Sequence, residues 1–255
     1  MNPFWTFSDI GVMTKRNMMS YVRLPQLLVF STIQPVMFLL LFAYVFGGAI
    51  NTPGTDYINF LIPGIIVQTV IFGSTMTGVG LASDLSKGMI DRFRSLPMAR
   101  SAVLAGRTIS DTIRNIFVVL LMTGVGYIIG FRFQGGFLHA LEALAITVLF
   151  GFAFSWISAT IGLLVREVET AQVAGFVWVF PLVFASSIFV PVESMPAWLE
   201  AFAKHSPITV TVNTVRALTL GHSVNSSDFW QTLAWIAGML IVFIPLAVYR
   251  YRKSV

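Results

Sequence analysis

Six long apolar stretches fill most of this chain, and its basic residues avoid every one of them. The stretches lie near residues 28–48, 58–82, 114–131, 140–164, 171–191 and 229–249. Each is close to the ~20 apolar residues that an α-helix needs to cross a hydrocarbon core of ~30 Å. Hydrophobic residues make up 56% of the 255 residues and charged residues only 11%. A soluble domain of this size could not keep that much apolar surface from water. The expected fold is an all-α integral membrane protein with six transmembrane helices. The links between spans are short, so one transmembrane domain over 1–255 is expected, with no room for a soluble catalytic domain.

The loops orient the chain. With both termini in the cytosol, the inner segments carry 13 of the 16 Lys and Arg, and the outer ones only Arg132, Lys204 and Arg216. The acids divide almost evenly and do not drive the result. This is the positive-inside pattern, and it explains the net charge of +5 without nucleic acid. No cysteine is present, which excludes disulfides, thiolate metal sites and thiol catalysis. The first apolar stretch starts only near Leu28, after Lys15, Arg16 and Arg23, and is expected to be retained as an anchor rather than cleaved.

Within the proposed spans no ionisable side chain is expected near a centre, with Arg114 and Glu142 at ends. Ion-coupled transporters usually hold such a group at mid-membrane, so its absence weakens that reading. Gln34, Gln68, Ser74, Ser186 and Ser187 are among the polar residues left. They are either interhelical hydrogen-bonding groups or a mildly polar translocation wall. Gly126 with Gly130, and the row Gly151, Ser155 and Ala159, have helix-packing spacing.

Three segments outside the spans are patterned. In residues 2–21, Phe4, Phe7, Ile10 and Met13 recur at roughly helical spacing, which fits a helix lying in the membrane interface, or else a basic tail. Pro25 should separate it from the first span. In the inner loop 83–113, Met89, Phe93 and Leu96 form a stripe widened by Ile90, ending before Pro97. That stripe needs either the membrane surface or a groove on a cytosolic protein. In the outer segment 192–228, Ser194 and Pro196 predict a helix over 196–205. Ser206, Pro207 and Gly221 predict a second, with Ile208, Val212 and Val215 as its apolar stripe.

No phosphate-binding GxxxxGK[ST] loop, HExxH or GxSxG occurs. His139, His205 and His222 are scattered, so no metal cluster is expected. The chain has no engine of its own.

Three stretches carry a family resemblance: KGMIDRFRSLPMARSAVLAGRTISD (87–111), RLPQLLVFSTIQPVMFLLLFAYVFGG (23–48), and 191–221 ending in SPITVTVNTVRALTLG. They resemble the permease subunits of ABC-2-type transporters, particularly the daunorubicin-resistance-like drug exporters. The resemblance covers nearly the whole chain. It implies an N-terminal interfacial helix, a cytosolic coupling helix at about 86–96 and two short re-entrant outer helices. Met89, Ile90, Arg92, Phe93, Arg94 and Leu96 would contact the ATPase. It also implies no cofactor on this chain, with ATP and Mg held by two copies of a separate ATPase subunit. A second permease, identical or homologous, would complete the assembly in a prokaryotic cytoplasmic membrane. The route would run at the interface between permeases, lined mainly by spans one, two and five. The implied cargo is an amphipathic drug-like compound, or else a lipid or glycolipid. A stand-alone secondary transporter or channel is the rival from another class.

Overall fold

A computed structural model describes residues 3–253 except 24, 51, 53–54, 90–92, 94–99 and 166. The described residues are helical throughout, joined by turns. The helices are α1 (Pro3–Arg23), α2 (Pro25–Leu41), α3 (Tyr57–Ser86), α4 (Arg100–Ile129), α5 (Gly136–Val165), α6 (Val168–Phe184), α7 (Ala197–His205), α8 (Pro207–Leu220) and α9 (Ser226–Lys253). A π-helical turn, Phe42–Phe46, extends α2, and a 3-10 turn, Val192–Ser194, precedes α7. By length and composition α3, α4 from Ser101, α5 and α9 can each cross a membrane. Thr32–Phe46 and α6 are shorter apolar helices.

The centre of the molecule is α3. It packs against α2, α4, α5, α6 and α8 and is buried along most of its length. Its contact with α5 is close because both helices are small there: a Cβ on Gly162 would strike the Gly78 backbone, and one on Gly151 would lie 2.8 Å from Val70 Cβ. The expected row Gly151, Ser155 and Ala159 is buried at this seam. Gly126 packs on Ile62, whereas Gly130 ends α4 with φ +116° and touches nothing a Cβ would meet. The two glycines therefore do different jobs rather than forming one packing motif.

Two helices depart from their expected ends. Instead of beginning near 114, α4 begins at Arg100, so much of the expected inner loop 83–113 is helix. And α6 stops at Phe184 although the apolar run continues to 191. Pro181 thins its backbone bonding. The Ser186 hydroxyl then donates to the Val183 carbonyl at 2.6 Å, a local bond that competes with helix propagation.

The outer segment follows its turn chemistry closely. Ser206 caps α8 by accepting from Ile208 N at 3.3 Å, Pro207 occupies its first turn, and Gly221 closes it at φ +71°. Ile208, Val212 and Val215 are buried, and α8 is inserted among α3, α5 and α9. Ser194 does not cap α7; its hydroxyl donates to Pro191 O, and Pro196 takes the cap position.

Candidate functional site

Arg107 and Arg114 stand seven residues apart on α4, and Gly80 and Gly73 stand seven apart on α3. The helices run antiparallel, so each arginine meets one glycine. A Cβ on Gly80 would strike the Arg107 guanidinium, and one on Gly73 would strike Asn115 Oδ1 and lie 3.3 Å from Arg114 Nη2. Only a missing side chain leaves room for these groups against the α3 backbone. Between them, at the level of Thr77, sits the fully buried Asp111.

Asp111 is saturated. Arg107 Nε donates to Oδ2 at 3.0 Å, Thr77 donates to Oδ2 at 2.7 Å, and Tyr21 of α1 donates to Oδ1 at 2.6 Å. Burial, then the Asp111 charge, raises the Tyr21 phenol above its ordinary pKa, so it remains a donor. Arg114 reaches the Tyr21 oxygen at 3.3 Å, the Gly73 carbonyl, and Asn115 Oδ1 at 3.1 Å. The cluster therefore ties α1, α3 and α4 together with two cations and one carboxylate.

Arg114, expected at the end of a span, is thus buried against the middle of α3. The helix register carries Arg114 to the level of Gly73, about nine residues or ~13 Å inside the expected inner end of the second span. The sequence did contain the signal: Arg107, Asp111 and Arg114 are spaced i, i+4, i+7, opposite two glycines with the same seven-residue interval.

Beside the cluster lies a small, partly open cleft of about 60 Å³. Its walls are Gln34 and Pro35 of α2, Thr69, Phe72, Gly73 and Met76 of α3, Arg114, Asn115 and Val118 of α4, and Phe176 of α6. Of the residues expected to form a polar wall, Gln34 alone lines this cleft. Gln68 is buried in α3, with its Oε1 unpartnered among the described residues. Ser74 is buried and donates back to Ile71 O at 2.6 Å. Ser186 and Ser187 lie where α6 breaks: Ser187 N–H donates to Thr209 Oγ1 of α8, and the Ser187 hydroxyl donates to Asn213 Oδ1. The five residues are thus not gathered on one surface.

At that break Arg216 of α8 holds two backbone carbonyls, Phe60 O at 3.0 Å and Ser187 O at 2.8 Å, with its guanidinium 3.6 Å from the Phe60 ring centre. A carbonyl freed by a broken helix needs such a donor away from water.

The coupling segment is only partly in view. Ile90, Arg92, Arg94 and Leu96 lie outside the described residues. Met89 and Phe93 are half-buried. Phe93 packs against a second apolar cluster that includes Met13 of α1 and Leu104 of α4, and Arg16 of α1 lies 4.9 Å from its ring centre. Arg16 also pairs with Asp84 at 3.4 Å. So α1 is not simply laid on a membrane. Its Met13 is buried against Gly106, while Phe7, from the same expected stripe, is exposed.

Comparison with known proteins finds relatives over most of the chain. Residues 8–220 match the family described as ABC-2 type transporter. A daunorubicin resistance ABC transporter permease protein of Streptomyces coeruleorubidus is 36% identical over 94% of this chain and 84% of its own length. A probable doxorubicin resistance ABC transporter permease of Mycobacterium tuberculosis is 28% identical over 86% of this chain and 79% of its own. A putative transport permease of Cyanophora paradoxa is 27% identical over 84% of this chain and 75% of its own.

Proposed function

Because this chain belongs to the ABC-2 type transporter family, we propose that it is the permease subunit of an ABC exporter. It moves an amphipathic, drug-like compound outward across the cytoplasmic membrane. The observation that carries this reading is the 36% identity, over nearly the whole chain, to a permease named for daunorubicin resistance. The chain acts as one transmembrane domain with six spans, α2 and α6 being the two short ones, and with both termini in the cytosol. ATP and Mg are bound by two copies of a separate ATPase subunit, and a second permease completes the pair.

The stroke enters through residues 86–96. Met89, Ile90, Arg92, Phe93, Arg94 and Leu96 meet the ATPase, and Phe93 passes the motion to α1 through Arg16. From α1 two links lead inward: Arg16 to Asp84 on α3, and Tyr21 to Asp111 on α4. The cleft edged by Gln34 and Arg114 is where cargo meets the protein, at the inner end of a route bordered by α2, α3 and α6. The inserted α8, held by Arg216, forms the outer barrier.

The buried carboxylate offers little to the rival reading of an ion-coupled carrier. Asp111 already accepts from Arg107, Thr77 and Tyr21, whereas a coupling carboxylate has to exchange its ion during the cycle. Co-purification decides the matter. The permease should bring down an ABC ATPase, and hydrolysis by the complex in liposomes should rise with an amphipathic cargo. Stoichiometric ATP turnover by the chain alone would contradict it.

A further inference from the structure

Arg114 is not fully used by its neighbours. Its guanidinium has five N–H groups. Three of them serve Tyr21, Gly73 and Asn115. Among the described residues, its Nε–H and one Nη1–H have no acceptor. Among the described residues it makes no direct ion pair: Asp111, the carboxylate it shares with Arg107, is bonded by Arg107. The cluster keeps one positive charge in excess, and the group carrying it edges the cleft.

The neighbouring amide adds to this bias. Asn115 Oδ1 accepts from Arg114, which fixes the amide so that its NH₂ remains as a donor. The acceptors around the guanidinium, namely the Gly73 carbonyl, Asn115 Oδ1 and the Tyr21 oxygen, are consumed by it. Phe72, Met76 and Phe176 supply apolar walls. A buried cation with spare donors beside an apolar slot matches an oxyanion on an apolar body. A cationic head would meet an uncompensated like charge there.

We infer that this cleft binds the anionic head of an amphiphile, a carboxylate or phosphate, through Arg114 and the Asn115 amide. The inference rests on the permease reading and narrows its cargo to acidic amphiphiles. The excess positive charge at Arg114 sets that choice.

The test uses the full-length permease in nanodiscs of zwitterionic lipid. Binding of pyrene-tagged dodecanoate is compared with that of pyrene-tagged dodecylammonium by fluorescence anisotropy. The carboxylate should bind the wild-type chain more tightly. Arg114→Gln should weaken it roughly tenfold or more, the size expected for charge-assisted hydrogen bonds, and leave the ammonium unchanged or tighter. Arg114→Lys should keep part of the preference. Gln34→Glu spares the cluster and places a carboxylate on the opposite wall. It should shift the preference in the same direction as Arg114→Gln, so the idea stays testable if that variant fails to fold. Displacement of the probe by phosphatidylglycerol would identify the occupant as membrane lipid, and persistence would identify a cargo; both require an anion site. Equal binding of the two probes, or a preference untouched by both Arg114→Gln and Gln34→Glu, would overturn the inference. No ATPase is present in this assay. A failure here therefore leaves the permease reading standing, and that reading fails separately if no ATPase associates.

Discussion

The hydroxyl of Tyr21 donates a 2.6 Å hydrogen bond to Asp111, joining α1 to α4 across 90 residues of sequence. This bond makes the N-terminal helix part of the charge cluster rather than an appendage. Removing it in Tyr21→Phe deletes a hydrogen bond to a charged group, a loss of about 1.5–3 kcal/mol. Asp111→Ala should cost more, about 3–5 kcal/mol, because it strands a buried cation. Thermal unfolding in detergent should rank the two in that order, and limited proteolysis should show α1 released first. Equal melting temperatures for wild type and Asp111→Ala would count against the cluster as the clamp.

The seam between α3 and α5 gives a sharp contrast among glycines. A Cβ at Gly78 or Gly162 would run into backbone of the facing helix, which cannot rotate away. Alanine at either site should therefore cost about 1–3 kcal/mol through overpacking. At Gly124 and Gly238 a Cβ meets nothing within 4 Å. Alanine there should be neutral or stabilising by up to about 1 kcal/mol, since it restricts the unfolded chain. Melting temperatures of the four variants check this.

How much of this was legible in the sequence depends on how local the signal was. The ends of α8 were readable because Ser206, Pro207 and Gly221 act on their own backbone. The start of α4 was not, because Arg107 and Arg114 look like loop charges until α3 supplies their partners. Gly73 and Gly80 are silent by themselves. Their meaning appears only when the antiparallel register sets an arginine opposite each. The break after Phe184 was hidden for a similar reason. Residues 185–191 are apolar enough to continue a helix, and Arg216, Thr209 and Tyr57, all distant in sequence, satisfy backbone groups that leave it.

Orientation can be read directly because the chain has no native cysteine. Single cysteines at the exposed Ser86 and Asn225 give opposite expectations. In intact cells an impermeant thiol reagent should label the cysteine at Asn225 and not the one at Ser86. The reverse pattern would invert the topology.

Phe93→Asp separates coupling from folding. A charge at this half-buried ring position would disturb the Arg16 contact and the edge of the apolar cluster on which Phe93 packs. Truncating an aromatic anchor at an interface typically costs ~2 kcal/mol or more of binding, roughly thirtyfold. The variant should reach the membrane yet lose its ATPase in pull-down. Undiminished association would place the contact elsewhere on the inner surface.

The most direct test is transport itself. The permease is reconstituted into proteoliposomes with and without its ATPase, and ATP-dependent movement of pyrene-tagged dodecanoate across the bilayer is followed by fluorescence. The account predicts movement only when permease, ATPase and ATP are all present, and its loss in Phe93→Asp. Movement driven by the permease alone, with no ATPase in the membrane, would contradict it.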